Sequence, residues 1–193
     1  MWRQFLPALR ITLVLTVLTG LVYPVVVAGL AQLLFPHQAN GSLITRGGQL
    51  TGSALIGQNF TRPEYLQPRP SAAGTDGYDA TASGGTNLGP TSRKLIDRMK
   101  ASVEKFRNDN PAFAGPIPAD LLTTSASGLD PDLSPASAQA QAPRIAAARG
   151  VPVEDVRALI ARHIERRDLG FLGEPRVNVL SVNLALDSEM PKR

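Results

Sequence analysis

The longest apolar pattern in the chain lies near its start. "ITLVLTVLTGLVYPVVVAGLAQLLF", from Ile11 to Phe35, holds no charged side chain. As a helix this segment rises about 37 Å at ~1.5 Å per residue, enough to cross a hydrocarbon core of about 30 Å with some tilt. Thr12, Thr16, Gly20, Pro24 and Ala28 recur at every fourth position and form a ridge on which another membrane helix can pack closely. Pro24 predicts a kink. Beyond Phe35 the apolar runs shorten. Leu43-Ile44 and Ala54-Leu55-Ile56, set between glycines and serines, read as short strands, and residues 63–90 read as irregular, opened by Pro63, Pro68 and Pro70.

A helical period returns from about Pro90 to Asn108. Leu95, Met99, Ser102/Val103 and Phe106 share one face, Arg93, Lys94, Asp97, Lys100 and Arg107 cover the others, and Asn110-Pro111 ends the run. Leu121-Leu122 reads as a short strand. Ser134 and Pro135 have the character of an N-cap and first helical residue, and Gly150 that of a stop; Pro143 between them predicts a kink or a break. A third helix begins near Pro152 with Val153, Val156, Leu159, Ile160 and Ile164 on its apolar face. "RVNVLSVNLAL" alternates, which predicts a strand with Leu180, Val182, Leu184 and Leu186 on one side. Strands toward both ends and helices between them give an α+β class: a single N-terminal transmembrane helix followed by one α+β domain.

Charge sets the expected orientation. Arg3 and Arg10 precede the apolar run and the next charged residue is Arg46, so the positive flank favours an inner (plasma) membrane topology with residues 1–10 cytoplasmic, 11–35 spanning and 36–193 extracytoplasmic or periplasmic. A cleaved leader is the alternative, with small-residue sites after Ala28 or Ala31, but the run exceeds the roughly 7–15 residues of a leader's apolar region. The net charge of +4 does not form a nucleic-acid profile, because Asp97, Glu104 and Asp109 interrupt the one basic run. Cysteine is absent, which removes disulfides, thiolate nucleophiles and cysteine–zinc sites.

Candidate chemistry concentrates in "RPSAAGTDGYDATASGGTNLGPTSRKL", Arg69 to Leu95. Gly84 to Gly89 has the spacing of a phosphate-binding loop, and the glycines front a helix N-terminus where backbone N–H groups attract anions. Pro90 stands where the lysine that reaches the outer phosphates is required. The only histidines, His37 and His163, are far apart and His163 falls at the edge of an apolar helix face, so no metal site is expected. No serine lies in a nucleophile elbow. Asp76, Asp79, Asp130 and Asp132 could pair as acid and base, but they sit in glycine- or proline-rich turns, where aspartate caps or turns the backbone. Asn59 opens a formal glycosylation acceptor, "NFT". The remaining reading of the stretch is a tightly turned loop, structural or docking, shaped by Arg69, Pro70, Ser71, Tyr78, Ser83, Gly84, Gly85, Asn87, Gly89 and Pro90.

Four segments in order, "GSALIGQNFTRPEYLQPRPSAA", "YDATASGGTNLGPTSRKL", "TTSASGLDPDLSPASAQAQAPRIAAARG" and "LGEPRVNVLSVNLAL", together with the single N-terminal membrane helix, resemble the C-subunit family of the bacterial Kdp potassium-transporting P-type ATPase. The resemblance runs from about Leu9 to Leu186. It implies an accessory, non-catalytic subunit whose partners are a channel-like potassium-translocating subunit and an ATP-hydrolysing P-type subunit. It also implies that ATP and magnesium act on the latter, that K+ is the transported ion, and that this subunit stabilises the complex and raises its ATP affinity. The phosphorylated aspartate of such pumps lies in a D-K-T-G-T context, which this chain lacks. An outside domain makes the effect on ATP indirect, whereas direct nucleotide binding through Gly84–Gly89 is the alternative.

Overall fold

A computed structural model of the chain describes residues 2–192. The chain divides into two compact units, Met1–Thr51 and Gly52–Arg193, and each is taken by itself.

The first unit is a helix followed by a hairpin. Helix α1 (Trp2–Val17) continues through a π-helical turn (Leu18–Val22) into α2 (Tyr23–Leu34), and one further turn, α3 (Pro36–Ala39), follows the break at Phe35. The helix from Arg3 to Leu34 is long and apolar enough to cross a membrane. The π turn explains how Pro24 is housed. Its ring would strike the Gly20 carbonyl one turn back in a regular α-helix, and the wider turn opens that contact. It also acts on the small-residue ridge. A four-residue repeat drifts by about 40° per step on an α-helix, and a turn holding more residues offsets part of that drift between Thr16 and Pro24. Strands β1 (Leu43–Arg46) and β2 (Gln49–Ser53) then form a two-stranded sheet. Gly47 and Gly48, with φ of 58° and 79°, make the two-residue turn between them. The second strand therefore precedes the predicted Ala54–Ile56, because this glycine pair fixes the pairing register and Ser53 to Ile56 closes as a turn through Ile56 N–H to Ser53 O.

The second unit carries the core. A 3-10 turn (Ala80–Ala82) precedes α4 (Arg93–Asp109), and another (Ala119–Leu121) precedes β3 (Asp132–Leu133). There follow α5 (Pro135–Arg149), α6 (Val153–Arg162), β4 (Ile164–Glu165), β5 (Arg176–Asn178) and α7 (Val179–Glu189). The strands form an antiparallel sheet in the order β3-β5-β4, with Leu133 opposite Val177 and Ile164 opposite Val177. Helix α5 packs on α6 through a face of small residues, Ala138, Ala142 and Ala146, around Ile145. Val156, Leu159 and Ile160 from α6 and Val182 and Leu186 from α7 complete the core.

Several expectations change. The predicted terminal strand is three residues of strand and then α7. Asn178 caps the helix by accepting from Ser181 N–H at 3.0 Å, and Val179, Leu180, Val182, Asn183 and Leu186 are buried at helical rather than alternating spacing. The predicted strand at Leu121-Leu122 is the end of a 3-10 turn, with Leu121 and Leu122 N–H groups bonded back to Pro118 and Ala119. Helix α4 begins at Arg93 rather than Pro90, because Ser92 is still extended. Helix α5 runs unbroken through Pro143, which removes one ladder bond while Ser134 and the left-handed Gly150 hold the two ends. His163 lies one residue past α6, and Ile164 belongs to β4.

The segment Glu64–Gln67 crosses the core without joining a sheet, so its backbone groups find side-chain partners. Leu66 donates to Asn183 Oδ1 at 2.7 Å and accepts from Asn183 Nδ2 at 2.9 Å. Gln67 exchanges the same pair with Gln141 at 2.9 and 3.0 Å. Arg144 reaches Tyr65 O at 3.2 Å and Asn110 Oδ1 at 3.0 Å, and burial pushes its pKa down to about 10, opposed by nearby Asp109. Arg149, with a side chain only 1% exposed, donates to Glu64 O, Leu186 O, Met190 O and Asp187 Oδ1 at 2.8 to 2.9 Å. Arg149→Met strands these acceptors in the interior and is expected to cost about 3 kcal/mol, with Arg149→Lys intermediate. Thermal unfolding of the full chain in detergent measures this; an unchanged midpoint in Arg149→Met would refute the role given to the guanidinium.

Candidate functional site

The glycine-rich stretch is an ordered loop closed against a second loop, residues 125–130. Ser71 is its hinge point. Its hydroxyl donates to Gly128 O at 2.6 Å and accepts from Tyr78 N–H at 2.8 Å and Ala73 N–H at 3.1 Å. That hydroxyl, with one donated and two accepted bonds, is engaged in holding the turn. Gly84 N–H and Ser83 Oγ both donate to Ser127 O, at 2.8 and 3.0 Å. Ser125 and Ser127 in turn accept from Gly128 and Leu129 N–H. At Gly128, with φ of 68°, an added Cβ would meet Ala73 N and Gly84 O at 2.8 Å; the two loops touch backbone to backbone there.

Arg69 and Tyr78 close the other side. Arg69 Nη1 pairs with Asp130 Oδ2 at 2.7 Å, and the Tyr78 hydroxyl donates to Arg69 O at 2.5 Å. Tyr78 adopts φ of 61°, a region in which a bulky residue is strained. Burial, reinforced by Asp130 and opposed by Arg69, pushes its phenol well above the ordinary range. Gly57 lies beneath, where a Cβ would come within 2.6 Å of Asp130 O and 2.7 Å of Tyr78 Cε1.

The structure brings Arg69, Ser71, Tyr78, Ser83, Gly84 and Asp130 into one network and leaves other candidates apart. Gly85 lies against the Ala126 carbonyl, which a Cβ would approach to 3.0 Å, while Gly89 faces open space. Asn87, with φ of 48°, is exposed, and Pro70 lines the cleft described below. Pro90 is the second residue of the Gly89–Ser92 turn that leads into α4. The four aspartates do not converge. Asp79 caps the Ala80–Ala82 turn by accepting from Thr81 N–H and Oγ1 at 2.8 and 2.6 Å, which holds its carboxyl below the usual range. Asp132 accepts from Asn178 at 3.2 Å and faces Arg176 at 3.5 Å; burial raises its pKa, Asn178 lowers it, and Asp130 and Glu165 add to the rise. Asp76 is exposed. Thr12, Thr16, Gly20, Pro24 and Ala28 lie on the exposed N-terminal helix, where Gly20 has open space around it.

Between the network and α4 opens a cleft of about 240 Å³, lined by Phe60, Arg69, Asp76, Tyr78, Lys105 and Phe106 among others. Lys105 is paired with Asp109 across one turn of α4 at 2.5 Å. Both cations of the cleft are therefore ion-paired, Arg69 through Nη1 while its buried Nε has no partner. Among the described residues no three of His, Asp and Glu converge as metal ligands. The contributions of Gly57, Ser125, Ser127 and Gly128 escape the sequence reading. The one signal for the last three is the turn-rich "SASGLDPD", whose partners lie more than forty residues away in the chain.

Two consequences are measurable. Gly57→Ala forces Asp130 and Tyr78 apart and should lower stability by about 2 kcal/mol. Tyr78→Phe loses one hydrogen bond, about 1 kcal/mol, and changes the alkaline response. Below the ordinary phenol value near 10 both folded and unfolded chains keep the proton; above it the unfolded chain releases a proton that folded Tyr78 retains, so stability falls as pH rises through that window. Denaturation at a series of alkaline pH values should show a steeper decline in the parent chain than in Tyr78→Phe, and parallel curves would contradict the assignment.

The family model described as "K+-transporting ATPase, c chain" matches residues 5–188. Curated relatives named "Potassium-transporting ATPase KdpC subunit" include those of Myxococcus xanthus, 60% identical over 97% of this chain and 89% of the relative, and Gemmatimonas aurantiaca, 57% identical over 97% and 94%. A third, from Caulobacter vibrioides, is 57% identical over 96% of this chain and 93% of its own length. With most of both chains aligned and the four quoted segments inside the match, the chain belongs to the KdpC family, the c chain of the potassium-transporting ATPase.

Proposed function

We propose that this chain is a non-catalytic accessory subunit of ATP-driven potassium import, which stabilises the assembly of a channel-like subunit with a P-type ATPase subunit and raises the pump's ATP affinity from a distance. The observation that carries the reading is the closed state of the glycine-rich loop. The Ser71 and Ser83 hydroxyls and the Gly84 N–H are bonded to residues 127 and 128, Arg69 is paired, and Pro90 stands in place of a phosphate-binding lysine. Such a loop supports a rigid docking surface better than a nucleotide cradle. The N-terminal helix anchors the chain with Arg3 and Arg10 inside and the second unit outside, packing through Thr12, Thr16, Gly20, Pro24 and Ala28. Differential contact with two pump states shifts their populations, and ATP affinity follows by linkage. Asp76, Asp79, Asp130 and Asp132 add cation attraction near the potassium entrance, with Asp76 and Asp79 exposed.

Three measurements test the parts of the proposal. A pump assembled with this chain should reach half-maximal ATPase rate at lower ATP than one without it, while the isolated chain shows no nucleotide-dependent heat; saturable ATP binding by the isolated chain would replace the indirect mechanism with a direct one. A reporter fused after Arg193 should be active only outside the cytoplasm. Asp76→Asn should raise the potassium concentration for half-maximal transport, and Asp76→Asn joined to neutralisation of the other three should raise it further. Unchanged values in both would remove the electrostatic role.

A further inference from the structure

The connection between β4 and β5 contains "DLGFLG", residues 168–173, and turns an apolar tip outward. Leu169 and Phe171, at 83% and 69% exposure, are the most exposed large apolar side chains of the second unit, and Leu172 follows beside them at 49%. The tip is not slack. Asp168 and Leu172 exchange both backbone bonds at 2.9 Å, Gly170 N–H donates to Arg167 O at 3.0 Å and Phe171 N–H to Asp168 O at 3.2 Å. Leu169 holds φ of 53° between Arg-Asp and Gly170, which has φ of 84°. A leucine in the left-handed region is strained by about 1–2 kcal/mol, and a glycine at the same position would relieve it. The turn thus fixes an apolar side chain outward at a local cost, and none of the three residues belongs to the core. Strain of this kind is retained where a surface has work to do.

The charges around the tip decide what it meets. Arg167 pairs with Glu174 at 2.6 Å, Arg176 with Glu165 at 3.0 Å and Asp168 at 3.6 Å, and Arg162 with Glu189 at 2.5 Å. Of these arginines and their neighbours, only Arg166 has no ion pair among the described residues. An anionic lipid surface is recognised by several unpaired basic side chains around the apolar residues. Here the collar is close to neutral, which is the composition of a protein interface with an apolar centre and a satisfied polar rim. A fixed turn also suits a pocket of fixed shape better than fluid acyl chains.

We infer that the 168–173 tip is a docking knob whose Leu169 and Phe171 enter an apolar pocket on another protein subunit of the potassium ATPase complex. The inference rests on the chain's being a subunit of that assembly. The chain has no cysteine, so Leu169→Cys carries a single environment-sensitive fluorophore. Its emission should move to the blue on assembly of the complex and remain unmoved when the isolated chain enters nanodiscs of anionic lipid. Leu169→Asp combined with Phe171→Asp should reduce recovery of the other subunits by about tenfold or more in affinity copurification. Leu169→Gly, which relieves the strained backbone, should weaken the complex while leaving the isolated chain's unfolding midpoint unchanged or higher, the opposite of a merely structural role. Wild-type recovery with the double-aspartate variant, or quenching of the label by nitroxide lipids instead of protection by protein, would overturn the inference while leaving the accessory-subunit reading intact. Failure of the unmodified chain to recover any ATPase subunit would overturn both.

Discussion

The second unit depends on a buried guanidinium. Arg149 stands at the end of α5, and its donors join that helix to two stretches that the chain keeps far apart: the Glu64 carbonyl, and the end of α7 through Leu186 O, the Asp187 carboxylate and Met190 O just beyond. The Tyr65 ring covers it at 5.2 Å, and the Tyr65 hydroxyl returns to Asp187 at 3.1 Å. A cation placed this deep is tolerable only with its hydrogen bonds made. The arrangement therefore works in both directions: the carbonyls solvate the arginine, and the arginine caps the end of α7 and fixes the crossing segment. Asn183 and Gln141 extend the same logic by replacing the neighbouring strand that Leu66 and Gln67 lack. A backbone buried outside any sheet must be satisfied somehow, and here amide side chains on two helices do it.

That pinned segment leads directly into the glycine-rich loop. Arg69 follows Gln67 by two residues, so the loop leaves the core from a fixed point before meeting residues 125–130. A glycine-dense stretch loses much conformational entropy on ordering, and this one is held by serine hydroxyls and backbone bonds rather than apolar burial. Of its side chains only Ala73 is fully buried. The loop is thus a surface made rigid by polar closure, and the same closure leaves little for chemistry.

Helix ends were legible from the chain because capping is local. Ser134, Gly150 and Asn110 each act within four residues of the groups they satisfy. The membrane-spanning length was legible for the same reason, since composition over one continuous segment decides it. The alternating run at Leu180–Leu186 misled because it satisfies both periods; Asn183, a polar residue that alternation places outside, is 2% exposed, and its partner is over a hundred residues away. Arg149, Gln141 and Asn183 carry no local mark of their work, because each satisfies groups far away in the chain. In the glycine loop, Pro90 and the lack of a lysine were readable, whereas the work of Ser71 and Gly57 follows only from the distant loop they touch.

Strain marks the two regions that local patterning could not assign. Among the described residues, the non-glycine positions with positive φ are Ser42, Tyr78, Asn87 and Leu169. None lies within a helix of the core. Tyr78 and Asn87 flank the polar closure of the glycine loop, and Leu169 forms the apolar tip between β4 and β5. At Tyr78 the cost is offset inside the chain, by the bond to Arg69 O and the shared hydroxyl of Ser71. At Leu169 the side chain is the most exposed large apolar group of the second unit, so its backbone bonds hold the turn without compensating the side chain. That difference separates the two: the loop's strain completes an internal fit, and the tip's strain has its counterpart on another surface.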